Sequence, residues 1–175
     1  MGISQGFSQP RMYTFFFEWF YPTHFQIIKK GFESFLGDVQ VMTILFDLMK
    51  ELLNNREVRC KFDGTTMTGF IFFKEISALM INYFEYVNLY QGTEITNDKY
   101  AQKFFFIHTA VDIYLNCLVG QFVNFSVCEY YEDKTFINIS TLIFKLVAGQ
   151  DLNEIQSFTT LHASLYRMIE AFFKT

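Results

Sequence analysis

Residues 39–55 read VQVMTILFDLMKELLNN, and the spacing of their polar positions decides the fold class. Gln40, Thr43, Asp47, Lys50 and Asn54 fall three or four residues apart, with Val41, Ile44, Leu45, Leu48, Met49 and Leu52 filling the intervals. Residues at that spacing share one face of an α-helix, whereas a strand would alternate at every second residue. The apolar arc is broader than a single neighbour requires. Helices in a stacked array are covered from several sides, and this pattern suits them. Just upstream, Gly37 stops the preceding segment and Asp38 offers a carboxylate to cap the new helix.

The same reading extends outward. Pro10 can occupy a first helical turn, where its missing N–H costs nothing, and that helix runs to about Tyr21. Pro22 blocks continuation and opens a second helix to about Phe35. Residues 56–68 form a polar connector containing Arg56, Arg59, Asp63 and Gly64. A helix over 70–90 follows, polar along Lys74, Ala78, Asn82 and Glu85 and apolar along Phe73, Ile76, Met80, Tyr83 and Val87. After a loop over 92–98, with Asn97 or Asp98 as cap, comes a helix over 99–119. It carries His108, Asp112 and Asn116 four residues apart, a single polar stripe. Residues 121–131 alternate through Phe122, Val123, Phe125, Val127 and Tyr130. No second strand is visible to pair with them, so they read as an ordered connector carrying a helical turn. Asp133 caps a helix ending at Gly149, with Phe136, Ile139, Ile143 and Leu146 or Val147 inward. A last helix over 153–174 places Phe158, Leu161, Leu165, Ile169 and Phe172 on one face.

The expectation is an all-α chain of about seven helices, with residues 1–9 a flexible leader rich in Gly, Ser and Gln. Residues 10–175 form a single helical-repeat segment of a larger solenoid. A closed bundle and an open stack of antiparallel helix pairs both fit such a count. Apolar surface on more than one side of the helices, continuing to both ends, favours the open HEAT-like α-solenoid, because terminal repeats of a closed array carry a polar outer face.

Composition excludes several function classes. The chain has 175 residues, 51% hydrophobic and 20% aromatic, with 24 Phe and 10 Tyr, which is not the make-up of a disordered segment. Its net charge is −4, and its 14 Lys and Arg are scattered rather than gathered in a stripe, so nucleic-acid binding by phosphate neutralisation is not expected. The most apolar stretch, residues 104–123, is interrupted by the His108, Asp112 and Asn116 stripe, so no membrane insertion is expected. Cys60, Cys117 and Cys128 have no zinc-like spacing and read as small buried residues.

No catalytic motif appears: there is no GxSxG, HExxH, P-loop or GxGxxG. His108 and Asp112 can bond to each other, but a metal site would need more ligands nearby than Asn116 supplies. His24 and His162 lack a partner at a telling distance. The expectation is a protein that is not an enzyme and needs no metal and no cofactor. Trp19, in a run of aromatics, is expected in the core.

Three stretches taken together resemble a known family. They are Phe17-Glu18-Trp19-Phe20-Tyr21-Pro22, then a run from Val39 through Leu48-Met49-Lys50-Glu51-Leu52-Leu53-Asn54-Asn55-Arg56, past Arg59 and Phe62-Asp63, to Gly69 and Phe72-Phe73-Lys74-Glu75, then Phe122-Val123-Asn124-Phe125-Ser126-Val127. In this order and spacing they resemble the middle of the exportin-7 type of nuclear transport receptor, in the importin-β superfamily. The resemblance covers most of residues 13–172. It implies a HEAT-repeat superhelix, and receptors of that kind bind Ran in its GTP form, protein cargo and nucleoporins while shuttling between nucleus and cytoplasm. Such receptors are several times longer than this chain, and their N-terminal Ran-binding helices have no counterpart in it. The connector with Arg56, Arg59 and Phe62 is the one loop matching a family signature, as a protein contact or as a brace that holds two helices in register. The alternative is a stand-alone helical scaffold or adaptor for protein–protein interaction without Ran dependence.

Overall fold

The computed structural model describes residues 10–55, 62, 66–90 and 99–174, and among them there is no strand. Among the described residues nine helices follow one another: α1 (Pro10–Phe20), α2 (Phe25–Phe35), α3 (Val39–Leu53), α4 (Thr68–Tyr90), α5 (Lys99–Val119), α6 (Ser126–Tyr130), α7 (Thr135–Ala148), α8 (Leu152–Ser157) and α9 (Thr159–Lys174). The leader at 1–9, the capping pair Asn97 and Asp98, and Arg56 and Arg59 of the connector lie outside the described residues.

The helices form two layers. In one, α2 packs on α4 and α4 on α7; in the other, α3 packs on α5 and α5 on α9; α2 with α3 and α5 with α7 join the layers. Register shows the direction of stacking. Lys29 of α2 pairs with Glu75 of α4 at 3.1 Å, and Gly37 beyond the end of α2 lies beside the Tyr86 hydroxyl. Phe46 and Lys50 of α3 meet Phe106 and Asp112 of α5. Phe104, Asp112 and Tyr114 of α5 meet Phe158, Ser164 and Phe172 at the next step. Residue numbers rise together in each pairing, so neighbours within a layer run parallel while the chain alternates between layers. That is an open stack of helix pairs, in which each pair touches only the one before and the one after.

The caps follow the sequence. Asp38 accepts from the Gln40 and Val41 amides at 3.0 and 3.1 Å, starting α3. Gly149 ends α7 as the C-cap residue. Asp133 accepts from the Thr135 amide at 2.8 Å and pairs with Lys74 of α4; these two contacts hold its carboxyl down at about 2. The last carbonyls of α3, which have no partner inside the helix, are met from outside. The Tyr13 hydroxyl of α1 donates to Leu52 O at 2.7 Å, and Asn116 Nδ2 of α5 donates to Lys50 O at 3.1 Å.

Aromatic rings tie the core together at two points. Phe46, fully buried, touches Phe32 of α2, Tyr83 and Phe84 of α4 and Phe106 of α5, with ring centroids 4.9–6.1 Å apart. Phe72 takes the edges of Phe17, Tyr21 and Phe25 at 4.9–5.3 Å, fixing α1 and the start of α2 on α4. Edge-to-face geometry lets these rings pack with opposed partial charges in contact.

Several expectations need correction. The helix expected over 153–174 breaks at Phe158, giving α8 and α9; the Phe158 backbone leaves the helical region and its ring stacks on Phe104 at 5.5 Å. Burial of that ring outweighs continuation of the helix. The connector at 121–131 does carry a helical turn, α6; α6 and α8 are the two additions to the seven helices expected. The second helix begins at Phe25 and not Pro22, because residues 21–24 form a turn in which His24 Nδ1 donates to Trp19 O at 2.8 Å. Trp19 is 61% exposed, because Tyr13 and Phe17 of α1, with Tyr21 just after it, take the inward side; its ring stacks on His24 at 4.2 Å. Ile169, expected inward, is 47% exposed.

Candidate interaction surface

The polar stripe of α5 lies along the seam between α3 and α9. Asp112 is its centre. One carboxylate oxygen is 3.2 Å from Lys50 Nζ of α3 and 3.3 Å from His108 Nε2 one turn earlier on α5. The other accepts from Ser164 Oγ of α9 at 2.6 Å. A single half-buried carboxylate therefore joins all three helices of its layer. Removing it would leave Lys50 and Ser164 without that acceptor in a partly desolvated seam, which costs more than a surface ion pair is worth.

His108 is held below its ordinary range, first because burial disfavours the charged ring, with Lys50 adding to the shift; Asp112 and Asp47 act in the opposite sense without winning. The folded protein thus binds this proton less readily than the unfolded chain. The stability contributed by neutral His108 is fully present above the ordinary histidine value, about 6.5, and is lost as pH falls from there through the lower folded value. Denaturant melts between pH 7.5 and 5 are expected to show a loss of stability that His108→Gln removes. A pH profile identical for the two proteins would refute the assignment.

Of the connector residues singled out in the sequence, only Phe62 is described. It is half-buried. Its ring lies 5.0 Å from Phe17 of α1 and 6.3 Å from Phe122 in the α5–α6 link. With Leu52, Asn55 and Phe72 these rings fill the corner where α1, α3 and α4 meet. Asn55 Nδ2 closes the corner by donating to Gly120 O at 2.6 Å.

Among the described residues no group of three or more His, Cys, Asp or Glu is arranged to hold a metal ion. Burial pushes the Cys117 thiol up, away from the reactive thiolate. Tyr114 is raised to about 12 by burial, and its hydroxyl, 2.6 Å from Ser140 Oγ, ties α5 to α7. No described helix is long and apolar enough to cross a membrane. The role of Asp112 as a three-helix junction was not apparent from sequence. Its stripe was visible, and Lys50 was visible as a polar position of α3, but their alignment depends on the register of α3 against α5.

A two-layer stack of parallel-running helix pairs with its polar groups spent on inter-helix ties defines the class: an α-helical repeat protein of solenoid type. Over nearly its whole length the chain is similar to exportin-7 and Ran-binding protein 17. It is 30% identical over 171 residues to exportin-7 of Dictyostelium discoideum, 27% over 169 residues to Ran-binding protein 17 of Homo sapiens and 27% over 169 residues to exportin-7-B of Xenopus laevis. Each alignment covers 97% of this chain but only 17%, 15% and 16% of the respective relative. The chain therefore spans about a sixth of the length of the curated relatives it matches. No protein-family profile and no solved structure matches it.

Proposed function

We propose that this chain works as a segment of a nuclear export receptor, a non-catalytic stack of helix pairs within a machine that carries protein cargo through nuclear pores together with Ran in its GTP form. Similarity to exportin-7 and Ran-binding protein 17 along 97% of the chain is the observation that carries this reading. The fold supports it. A stack in which each pair meets only its neighbours can change curvature by small rotations at each seam. Through such a change the binding of one ligand favours the shape the other needs. On this reading Ran is engaged mainly by regions outside the 175 residues, and the protein moves between nucleus and cytoplasm, passing the pore by contact with nucleoporins.

The test is to purify the native protein through a tag at its own gene and wash it with Ran loaded with GTP or with GDP. The expected result is retention of Ran in the GTP form only, with cargo retained more strongly when Ran-GTP is present. Reciprocity requires the same cargo to raise the affinity for Ran-GTP by the same factor. Retention of the same partners regardless of Ran and its nucleotide would replace this reading with that of a stand-alone helical scaffold.

A further inference from the structure

Three lysines tie one step of the stack to the next. Lys29 of α2 meets Glu75 of α4 at 3.1 Å, Lys74 of α4 meets Asp133 ahead of α7, and Lys50 of α3 meets Asp112 of α5 at 3.2 Å. Asp112 differs from the other two acids in reaching forward as well. Its Oδ2 takes Lys50 and His108, while Oδ1 accepts from Ser164 of α9 at 2.6 Å. One carboxylate is thus held from both sides of α5, by α3 before it and by α9 after it. In a stack where each step meets only its neighbours, α3 and α9 act on each other only through α5.

The two contacts are not independent. The oxygens of a carboxylate turn as one unit, so a partner that orients Oδ2 also aims Oδ1. The Asp112 side chain is only 16% exposed, and a charge at that depth depends on its partners. Without the Lys50 ammonium the carboxylate recovers hydration by turning outward, and Oδ1 leaves Ser164. Ser164 is buried and cannot turn to water. At best its hydroxyl bonds back to a carbonyl of α9, as Ser140 does to Phe136 O within α7. The tie between α5 and α9 is then gone. His108 does not replace the lost charge at pH 7.5, because burial keeps its ring neutral there.

From this geometry we infer that Asp112 is a relay within the stack: the hold of Lys50 on one carboxylate oxygen sets the strength of the Ser164 bond on the other, so that loosening the α3–α5 seam loosens the α5–α9 seam. A stack with nearest-neighbour contacts alone has no such coupling, and the shared carboxylate supplies it. A bend imposed at one seam is thereby passed to the next. The effect is local and modest, because Phe104 stacked on Phe158 at 5.5 Å and Tyr114 beside Phe172 at 6.0 Å hold α9 on α5 independently of Asp112. This inference does not depend on the transport reading.

Amide hydrogen exchange in the α9 turns around Ser164, at pH 7.5, tests it. Lys50→Met keeps the aliphatic stem and removes the charge. Asn116 Nδ2 on Lys50 O at 3.1 Å and Phe46 against Phe106 still hold α3 in register. The variant is expected to lower protection around Ser164 by about three- to fivefold, toward the lower end of couplings within one polar network. Ser164→Ala has no hydroxyl to lose, so adding Lys50→Met to it should change α9 protection by less than about twofold, the scatter of independent sites. Lys29→Met is the control. Its side chain is about as exposed as that of Lys50, 31% against 34%, and it ties the same step of the stack in the other layer without touching Asp112. It should leave α9 within about twofold of the parent. Unchanged or raised α9 protection in Lys50→Met would overturn the inference, and so would an effect of Lys50→Met that persists in Ser164→Ala. An equal loss in Lys29→Met would also overturn it, by showing that the seams are coupled through the fold as a whole and not through this carboxylate.

Discussion

Gly69→Ala is expected to lower the midpoint of thermal unfolding by roughly 6–16 °C, from a loss of about 3–4 kcal/mol in a domain of this size. Gly69 is the second residue of α4, where the helix passes the backbone of the α5–α6 link. A Cβ there would stand 1.9 Å from the carbonyl oxygen of Phe122 and 3.0 Å from both the Phe122 carbonyl carbon and the ring of Phe62. A backbone oxygen held in a buried corner cannot swing aside as a long side chain can. Relief requires α4 to draw away from residues 120–122, which opens the corner braced by Phe62 and Asn55. Gly31→Ala makes the contrast. Its Cβ would meet only the Leu45 methyls, at 3.3 and 3.6 Å, and the interior of α2 favours Ala over Gly by nearly 1 kcal/mol. Its midpoint should stay within a few degrees of the parent or rise. Circular dichroism melts of the two variants decide the matter, and a Gly69→Ala midpoint equal to the parent's would show that the helix and the link are not locked together there.

Gly69 also marks where the sequence stops being readable. As a letter it is one more small residue near a helix start, and nothing in its neighbours reveals the Phe122 carbonyl, more than fifty positions on. Local signals did carry far. The Asp38 cap, the Gly149 stop and the three-and-four spacing along residues 39–53 all depend on interactions within a turn or two, and α3 and α7 appear where those signals put them. What failed was decided by distant packing. Phe158 sits in a continuous helical pattern, and only the approach of Phe104 accounts for the break between α8 and α9. Trp19 has core-like chemistry, and only the choice of Tyr13, Phe17 and Tyr21 as the inward set turns it to solvent. The candidate surface shows the same division. The stripe at His108, Asp112 and Asn116 follows from helical spacing, but its meaning comes from Lys50 and Ser164, which reach it from helices 62 and 52 residues away.

Phe46→Ala should cost about 3–5 kcal/mol, the usual range for a phenylalanine emptied from a close-packed core, and its effect should be uneven along the stack. Phe46 is the one ring described that meets α2, α4 and α5 together from its place on α3, so it links both layers across the seam between the first two helix pairs. In an array whose stability is a sum of pair and seam contributions, a defect at one seam weakens its two flanking pairs most. The third pair is anchored to α5 by contacts that do not involve Phe46: Asp112 to Ser164, Tyr114 to Ser140, and the stack of Phe104 on Phe158. Hydrogen exchange on the variant should therefore show protection falling first in α2, α3 and the half of α4 around Tyr83, while α7 and α9 retain theirs against the still-folded part of α5. Equal loss in α9 and α2 would mean that the chain unfolds as one cooperative unit, like a closed bundle. That outcome would remove the mechanical basis for a receptor segment that bends seam by seam, whereas a graded loss would locate its softest seam at Phe46.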